Sequence, residues 1–189
     1  MKSARSTEGR DRTEHPTKSA RSTEGRDRTE HPTPHALPAK ARAASVTEMT
    51  EYVLPQHANV HGTVFGGQIM AWVDLCAAIC AQRHAGRPCV TAFVDDLLFK
   101  RPVQVGQVVR LRAHVTATFR TSMEIEVRVG GEDTVTGEVW PTVECRATFV
   151  AMSDAGAPTP VPPLRLDTDD DRTAQSAAEE RRRARLAKR

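Results

Sequence analysis

The sequence predicts an α+β domain in which one long helix is wrapped by a curved antiparallel β-sheet. Three observations support this prediction: a nearly all-apolar segment at 67–82, period-two alternation in several later segments, and flanks that lack aromatic residues. A helix that is apolar all round is a core helix, and an alternating strand buries one face. One such helix and one such sheet bury each other's apolar surface only when the sheet wraps the helix.

The chain divides into a core and two polar flanks. All eight aromatic residues lie between Tyr52 and Phe149. Residues 1–46 and 153–189 are rich in charged residues, Ser, Thr, Pro and Ala, so they do not bury enough apolar surface to offset chain entropy. We therefore expect one folded domain at 47–152, between two tails that are both largely disordered.

Each tail has one feature of its own. The segment KSARSTEGRDRTEHPT at 2–17 recurs unchanged at 18–33, and nothing in this polar tandem repeat could stack into a core. A Pro-rich stretch at 158–164 precedes a segment with acidic residues first and basic residues last. That charge order matches a helix dipole. A frayed tail, a short helix and a contact with an anionic surface or nucleic acid all stay open for this segment.

Charge and cysteine usage limit the partners. The net charge of +3 comes from +4 in residues 1–46, −2 in 47–152 and +1 in 153–189, so the core does not favour a nucleic-acid surface. No run reaches the length of a membrane span, and four cysteines without zinc-like spacing indicate buried free thiols. We expect a cytoplasmic protein with no metal, no cofactor and no membrane contact; a transit peptide is a weaker alternative.

The predicted elements follow a simple order. A short strand comes first, then the helix, and then four further strands, at 48–54, 67–82, 90–99, 109–119, 123–129 and 143–151 respectively. The GGED segment at 130–133 predicts the turn before the last strand. Pro141 predicts a bulge or a strand entry, because proline cannot donate to a sheet ladder.

The helix carries Asp74 on a stripe of small residues. At 3.6 residues per turn, the stripe consists of Gly67, Met70, Ala71, Ala77, Ala78 and Ala81. No Lys or Arg occurs from 62 to 82, so we expect Asp74 to be buried without a basic partner, at a face where a second subunit packs. A structural carboxylate at that seam and an active-site carboxylate both stay open.

Two glycines, Gly66 and Gly67, open the helix after a polar loop that carries His57, Asn59 and His61. The first N–H groups of a helix have no partner within the helix and carry a partial positive charge. Aimed at a carbonyl oxygen, they would stabilise an oxyanion. The donors at the helix start and a carboxylate two turns later therefore predict a site that acts on one bound carbonyl.

Three segments resemble one known family. NVHGTVFGGQIMAWVD at 59–74 resembles the signature of hotdog-fold acyl-CoA thioesterases, in which an Asn, a Gly-Gly pair and an Asp recur at this spacing. VDDLLFKRPVQVGQVV at 94–109 and RTSMEIEV at 120–127 are similar to two further family segments. The resemblance spans about residues 48–152. It implies acyl-CoA as substrate, a hotdog fold, dimers whose sheets join, and in many cases hexamers.

The resemblance also implies roles for individual residues. Asn59 and Asp74 correspond to the catalytic pair, which opposite subunits contribute. Backbone N–H groups near Gly66 and Gly67 would hold the thioester carbonyl oxygen, while Asp74 activates water or attacks the carbonyl itself. The candidates for contacts with substrate are His61, Arg101, Arg120 and Ser122, the last three by position only. No G-x-S-x-G elbow is present, which argues against an α/β-hydrolase.

Two other functions stay open at this point. A hotdog dehydratase or hydratase pairs a catalytic His with an acid, and His61 before the helix is consistent with it. A non-enzymatic acyl-CoA-binding regulatory module would use the basic C-terminal tail on nucleic acid. Release of free thiol distinguishes a hydrolase from the first alternative, and a salt-dependent gel shift that requires residues 165–189 tests the second.

Overall fold

The computed structural model describes residues 37–95 and 97–187. The repeat predicted at 2–33 lies outside these residues. The elements are, in chain order, β1 Lys40–Ala41, β2 Thr47–Tyr52, α1 Gly66–Ala85, β3 Cys89–Val94, β4 Leu98–Phe99, β5 Val108–Thr118, β6 Ser122–Glu132, β7 Val139–Ala151, β8 Leu164–Arg165 and α2 Asp169–Ala187.

Helix α1 forms the centre of the molecule, as predicted. It begins after Phe65, which is extended, and ends at Gly86, whose φ of +68° is a left-handed conformation that glycine adopts without strain. Its core-facing residues are Ile69, Trp72, Val73, Cys76, Ala77, Cys80, Ala81, His84 and Ala85. The helix is therefore one turn longer at its C-terminal end than the apolar run alone predicted.

One antiparallel sheet wraps α1 in the order β2-β5-β6-β7-β3, with β4 also paired to β7. The apolar residues that alternate along β5, β6 and β7 join the helix in a single core. Alternate residues from Val109 to Val115 on β5 and from Met123 to Val129 on β6 supply this face, as predicted. A bulge after Val115 places Ala117 opposite Glu124, so the predicted alternation of β5 ends at Val115. The arrangement is the hotdog fold that the sequence predicted.

The turn between β6 and β7 differs from the prediction at 130–133. Strand β6 continues to Glu132, and the turn is formed by Asp133, whose Oδ1 accepts hydrogen bonds of 3.0 Å from the N–H groups of Val135 and Thr136. Gly131 is needed inside the strand because a Cβ there would lie 2.4 Å from the ring of Trp140. The glycines mark close packing under an indole rather than chain reversal.

A β-bulge interrupts β7 at Pro141, as predicted. Pro141 pairs with Gly130 and Val143 pairs with Val129, so Thr142 is left without a partner in the ladder. A bulge of this kind re-aims the side chain of the extra residue.

The C-terminal segment contradicts the expectation of a disordered tail. Val161 and Leu164 belong to the buried core, β8 pairs in parallel with β1, and α2 packs against β5. The segment is ordered because its few apolar residues dock on the domain, while its charged residues find opposite charges there. The ordered part of the chain thus extends at both ends beyond 47–152; those domain limits stay a prediction for the catalytic domain itself.

Helix α2 covers the outer face of the sheet. Glu124 on β6 is 1% exposed, and Arg181 donates to both of its carboxylate oxygens at 3.1 and 2.6 Å. Arg185 donates to Thr148 at 3.2 Å and stacks over Phe93 at 4.6 Å. Because α1 covers one face and α2 the other, Glu124 and Glu126 of β6 are buried, whereas Arg128 stays exposed. The expectation of a sheet buried on one face only is wrong around β6.

Candidate active site

The loop before α1 is organised by Asn59. Its side-chain Oδ1 accepts a hydrogen bond of 2.9 Å from the His61 N–H, and its Nδ2 donates to the hydroxyl of Thr63 at 3.0 Å. Gly62 permits this tight loop with a φ of +73°. The loop therefore holds Asn59 in a defined position, whereas the His61 side chain is exposed.

His57 anchors the same loop to the helix. Its ring packs edge-on against Trp72 with the ring centroids 5.1 Å apart, and its backbone oxygen accepts a 2.8 Å hydrogen bond from the Phe65 N–H. His57 is thus a structural residue of the loop in this chain.

The helix starts at two glycines that other side chains approach closely. A Cβ on Gly66 would lie 3.3 Å from the ring of Phe99, and one on Gly67 would lie 2.4 Å from the ring of Phe65. The first helical hydrogen bonds to Phe65 come from Gln68 at 2.9 Å and Ile69 at 3.2 Å. Within the described residues, the Gly66 and Gly67 N–H groups have no backbone acceptor and are available to a bound oxygen.

Asp74 contacts a residue that the sequence analysis missed. The hydroxyl of Thr91 on β3 donates a hydrogen bond of 2.6 Å to Asp74 Oδ1. Nothing in the sequence marks Thr91, since the contact depends on edge strand β3 lying alongside the middle of α1. Thr91 thus occupies one carboxylate oxygen, and within residues 37–95 and 97–187 the other oxygen, Oδ2, has no hydrogen-bond partner.

The expectation that Asp74 is buried is wrong for the single chain, because its side chain is exposed. The predicted stripe divides: Ala77 and Ala81 are fully buried in the core, whereas Gly67 and Ala71 are exposed beside Asp74. Several large apolar side chains around this face are also exposed, namely Phe65, Met70, Leu75, Val90, Phe93 and Val94. The carboxylate therefore lies on the exposed side of α1, beside edge strand β3.

A cleft of about 250 Å³ lies at the start of α1, and we refer to it as the helix-entry cleft. It is lined by Val64, Gly66, Ile69, Phe99, Lys100, Arg101, Pro102, Val103 and Thr142. Its walls are mostly apolar, its rim carries two cations, and the first glycine of the helix contributes to it. This composition suits a chain-like ligand with a polar or anionic end.

The two cations at this cleft differ in their engagement. Arg101 forms a 2.7 Å ion pair with Glu138 and lies 4.2 Å from the centre of the Trp140 ring. Lys100 is exposed, and its ammonium group has no ion-pair partner within residues 37–95 and 97–187. Among the described residues, Lys100, which the sequence analysis passed over, is therefore the cation of this cleft without an ion pair.

The remaining predicted contacts lie elsewhere on the chain. Arg120 is exposed in the turn between β5 and β6, and Ser122 is half-buried at the start of β6. Arg101 lies beside Trp140, which pairs with Gly131 near the other end of β6. Nine strand residues span roughly 30 Å. One chain therefore does not bring Arg101 together with Arg120 and Ser122.

The cysteines offer no second nucleophile. The thiols of Cys76, Cys80 and Cys145 are free and buried, as predicted, while Cys89 is half-buried. Burial raises the pKa of Cys80 to about 12 and the pKa of Cys76 to about 11. These thiols stay protonated at neutral pH, when they are weak nucleophiles.

Two further features are absent from the described residues. Residues 37–95 and 97–187 contain no group of three or more His, Cys, Asp or Glu side chains placed to hold a metal ion. In the same ranges, neither helix is long and apolar enough to cross a membrane.

Comparison with known proteins decides the family. The model of the thioesterase superfamily matches residues 61–138. A Bacillus subtilis protein named as an uncharacterized acyl-CoA thioester hydrolase is 37% identical over 137 residues, which cover 70% of this chain and 80% of that protein. The chain belongs to the hotdog-fold acyl-CoA thioesterase family.

Solved structures of the family agree with this assignment. An apo-hexameric acyl-CoA thioesterase superposes with a TM-score of 0.76 at 37% identity, covering 80% of this chain and 97% of that one. The Staphylococcus aureus acyl-CoA hydrolase, solved with butyryl coenzyme A and coenzyme A, superposes with a TM-score of 0.73 at 33% identity, covering 80% and 92%.

Some family members are much longer than this chain. Mouse acyl-coenzyme A thioesterase 11 is 39% identical over 145 residues, which are 77% of this chain but 24% of the mouse protein. The chain thus spans about a quarter of the length of that relative.

Proposed function

We propose that this protein hydrolyses acyl-CoA thioesters to the free acid and CoA. The observation that carries the proposal is the Asp74 carboxylate on α1, which accepts a 2.6 Å hydrogen bond from Thr91 on β3. The first N–H groups of the same helix have no backbone acceptor within the described residues. The named activities of family members of similar length support it. Coenzyme A is then part of the substrate; the absence of a cofactor and the cytoplasmic location stay predictions.

The carboxylate has two possible roles in this reaction. The Thr91 hydroxyl occupies Oδ1 of Asp74 and leaves Oδ2 to accept a proton from water. The water oxygen then bonds to the carbonyl carbon, and the resulting oxyanion is held by the Gly66 and Gly67 N–H groups. As the C–S bond breaks, the sulfur leaves as thiolate and takes up a proton. Alternatively, Oδ2 attacks the carbonyl directly and forms an anhydride that water then opens.

The two halves of this site lie far apart along one helix. Asp74 follows Gly66 by eight residues, and at about 1.5 Å per residue they are roughly 12 Å apart along the helix axis. The carboxylate also lies on an exposed face that carries large apolar side chains. We therefore assign the N–H groups and Asn59 to one subunit and Asp74 with Thr91 to its partner.

The exposed face around Asp74 supports such a pairing. Phe65, just before α1, is 59% exposed, and Met70 on α1 is 50% exposed; β3 is an edge strand with Val90 48% exposed. A second copy of the chain at this seam would cover these apolar side chains and continue the sheet. We propose a homodimer as the minimal active unit. Hexameric relatives, including the Yersinia pestis thioesterase y2039, make a trimer of dimers the expected larger assembly.

Three structures of the Staphylococcus aureus hydrolase give independent support for the residues. They carry single alanine substitutions of an asparagine, an aspartate and a threonine, which follow one another in that order along the chain. Asn59, Asp74 and Thr91 follow one another at the same two spacings in this chain. The match in order and spacing supports treating these three residues as one functional set.

The deciding experiment measures release of free CoA thiol from acyl-CoAs of increasing chain length. We expect the wild type to hydrolyse some of them, and Asp74→Asn to lose at least about a hundredfold in kcat because the amide cannot accept the proton. Asp154→Asn, on an exposed loop, serves as the matched control and should retain full activity. A wild type that releases no thiol from any ester would refute the proposal.

A further inference from the structure

The inference concerns the floor of the helix-entry cleft and rests on the proposed function. Thr142 lies on the β-bulge of β7, at the position that has no partner in the sheet ladder. Its backbone oxygen accepts a 2.9 Å hydrogen bond from the Lys100 N–H, which fixes the bulge against the segment carrying the cations. The bulge therefore sets the position of the Thr142 side chain at this cleft.

The Thr142 hydroxyl is buried and unpaired. The residue is 1% exposed and lines the helix-entry cleft, and within the described residues its Oγ1 has no hydrogen-bond partner. Buried hydroxyl groups are nearly always paired in folded proteins, so an unpaired one at a cleft indicates a partner that arrives with a ligand.

The surroundings define what that partner can be. The neighbouring walls are apolar side chains such as Ile69, Phe99 and Val103. A saturated hydrocarbon would fill this space but would leave the hydroxyl unpaired. A chain that carries one hydrogen-bonding oxygen among apolar atoms fits both features. The Gly66 backbone borders the same cleft, so one bound thioester can reach both the helix start and Thr142.

We propose that Thr142 is a specificity-determining residue whose hydroxyl donates a hydrogen bond to an oxygen on the substrate chain near the thioester. Two parts of an acyl-CoA carry such an oxygen. One is the amide carbonyl of the arm that links sulfur to the nucleotide. The other is a 3-hydroxy or 3-oxo group on the acyl chain. Both present the same acceptor, and the choice of substrate distinguishes them.

The test compares Thr142→Val with Thr142→Ser on three substrates. These are butanoyl-CoA, 3-hydroxybutanoyl-CoA, and the butanoyl thioester of ethanethiol, which lacks both the amide and the 3-hydroxyl. Valine keeps the shape of threonine but removes the hydroxyl, whereas serine keeps the hydroxyl. On substrates that carry the acceptor oxygen, we expect kcat/KM of Thr142→Val to fall about tenfold. On the same substrates, Thr142→Ser should stay near the wild type.

The pattern of loss identifies the acceptor. A loss on both CoA esters but not on the ethyl thioester assigns the amide, and a loss confined to 3-hydroxybutanoyl-CoA assigns the acyl oxygen. In either case, Thr142→Val should melt no lower than the wild type, because the hydroxyl has no partner to lose among residues 37–95 and 97–187.

Three results would overturn the inference. One is equal activity of the Val and Ser variants on all three substrates. The second is a lower melting temperature for Thr142→Val, which would show a structural hydroxyl. The third is a wild type that hydrolyses no thioester; only this result also removes the proposed function, so the two failures are distinguishable.

Discussion

The hydroxyl of Thr91 on edge strand β3 donates to Asp74 Oδ1 on the central helix across 2.6 Å. Both side chains are exposed in the single chain, so this hydrogen bond is not part of the core. It fixes one carboxylate rotamer at a face that a partner subunit covers in the proposed dimer. The contact thus links the sheet edge to the proposed chemistry.

Thr91→Val should lower kcat by roughly tenfold to a hundredfold, because Asp74 loses the donor that orients it. Thr91→Ser keeps the hydroxyl and should retain most of the activity. The measurement is thiol release at saturating acyl-CoA, with melting temperatures for both variants. Equal rates for Val and Ser would mean that the hydrogen bond does not contribute to catalysis.

Mixing two inactive variants tests whether the site is shared between subunits. Asn59→Ala and Asp74→Asn should each be inactive alone. In a mixed dimer, one of the two sites receives an intact Asn59 from one chain and an intact Asp74 from the other. Random reassembly makes half the dimers mixed, so about one quarter of wild-type activity should return. If no activity returns after confirmed exchange of subunits, both residues act from the same chain.

Lys100→Ala should raise KM for CoA esters by roughly fivefold, as expected for the loss of one partly exposed charge pair. Arg101→Ala should raise KM through loss of its proposed contact with CoA. It should also lower the melting temperature, because Arg101 forms an ion pair with Glu138 and stacks on Trp140. Arg172→Ala on α2 is the control. A thioester without the nucleotide should show no change in KM; an equal rise on both substrates would contradict a phosphate contact.

The ion pair of Arg181 on α2 with Glu124 on β6, which we call the clamp, should contribute strongly to stability. Arg181→Met leaves Glu124 buried without its cation, and we expect the free energy of unfolding to fall by about 2–4 kcal/mol. Adding Glu124→Gln removes the uncompensated charge and should recover part of that loss. Arg183→Met, an exposed arginine of the same helix, should have no effect. Urea unfolding at fixed protomer concentration measures all four proteins; equal losses for Arg181 and Arg183 would contradict the clamp.

The fold was predictable because the periodicity of apolar residues indicates most of its helices and strands. The apolar run at 67–82 and the alternation along β5 and β6 need only local sequence. Errors arose where a distant residue overrides a local rule. The local sequence predicts a turn at Gly131, whereas the structure has Trp140 packed against it. The alternation predicts a solvated Glu124, whereas Arg181 covers it.

The site was only partly visible from the sequence for a similar reason. Asn59, Asp74 and the Gly-Gly pair lie within one short motif, and the resemblance of that motif to the family signature marked them. Thr91 and Thr142 sit in ordinary strand sequence, and only the strand order and a one-residue bulge bring them to α1 and the cleft. The exposure of Asp74 also depends on how the helix is rotated about its axis. Because the helix is apolar on every side, its sequence did not predict that rotation.

The pairing of Glu124 with Arg181 has a consequence for how the chain is made. The two residues are 57 positions apart. At about 5–20 residues per second, a ribosome needs roughly 3–11 seconds to add Arg181 after Glu124. During that interval β5 and β6 can pair, but Glu124 on the outer face of β6 does not yet have Arg181 as its counter-ion. A product truncated before α2 would lack this counter-ion permanently, so synthesis of α2 is a condition for full charge compensation of the sheet.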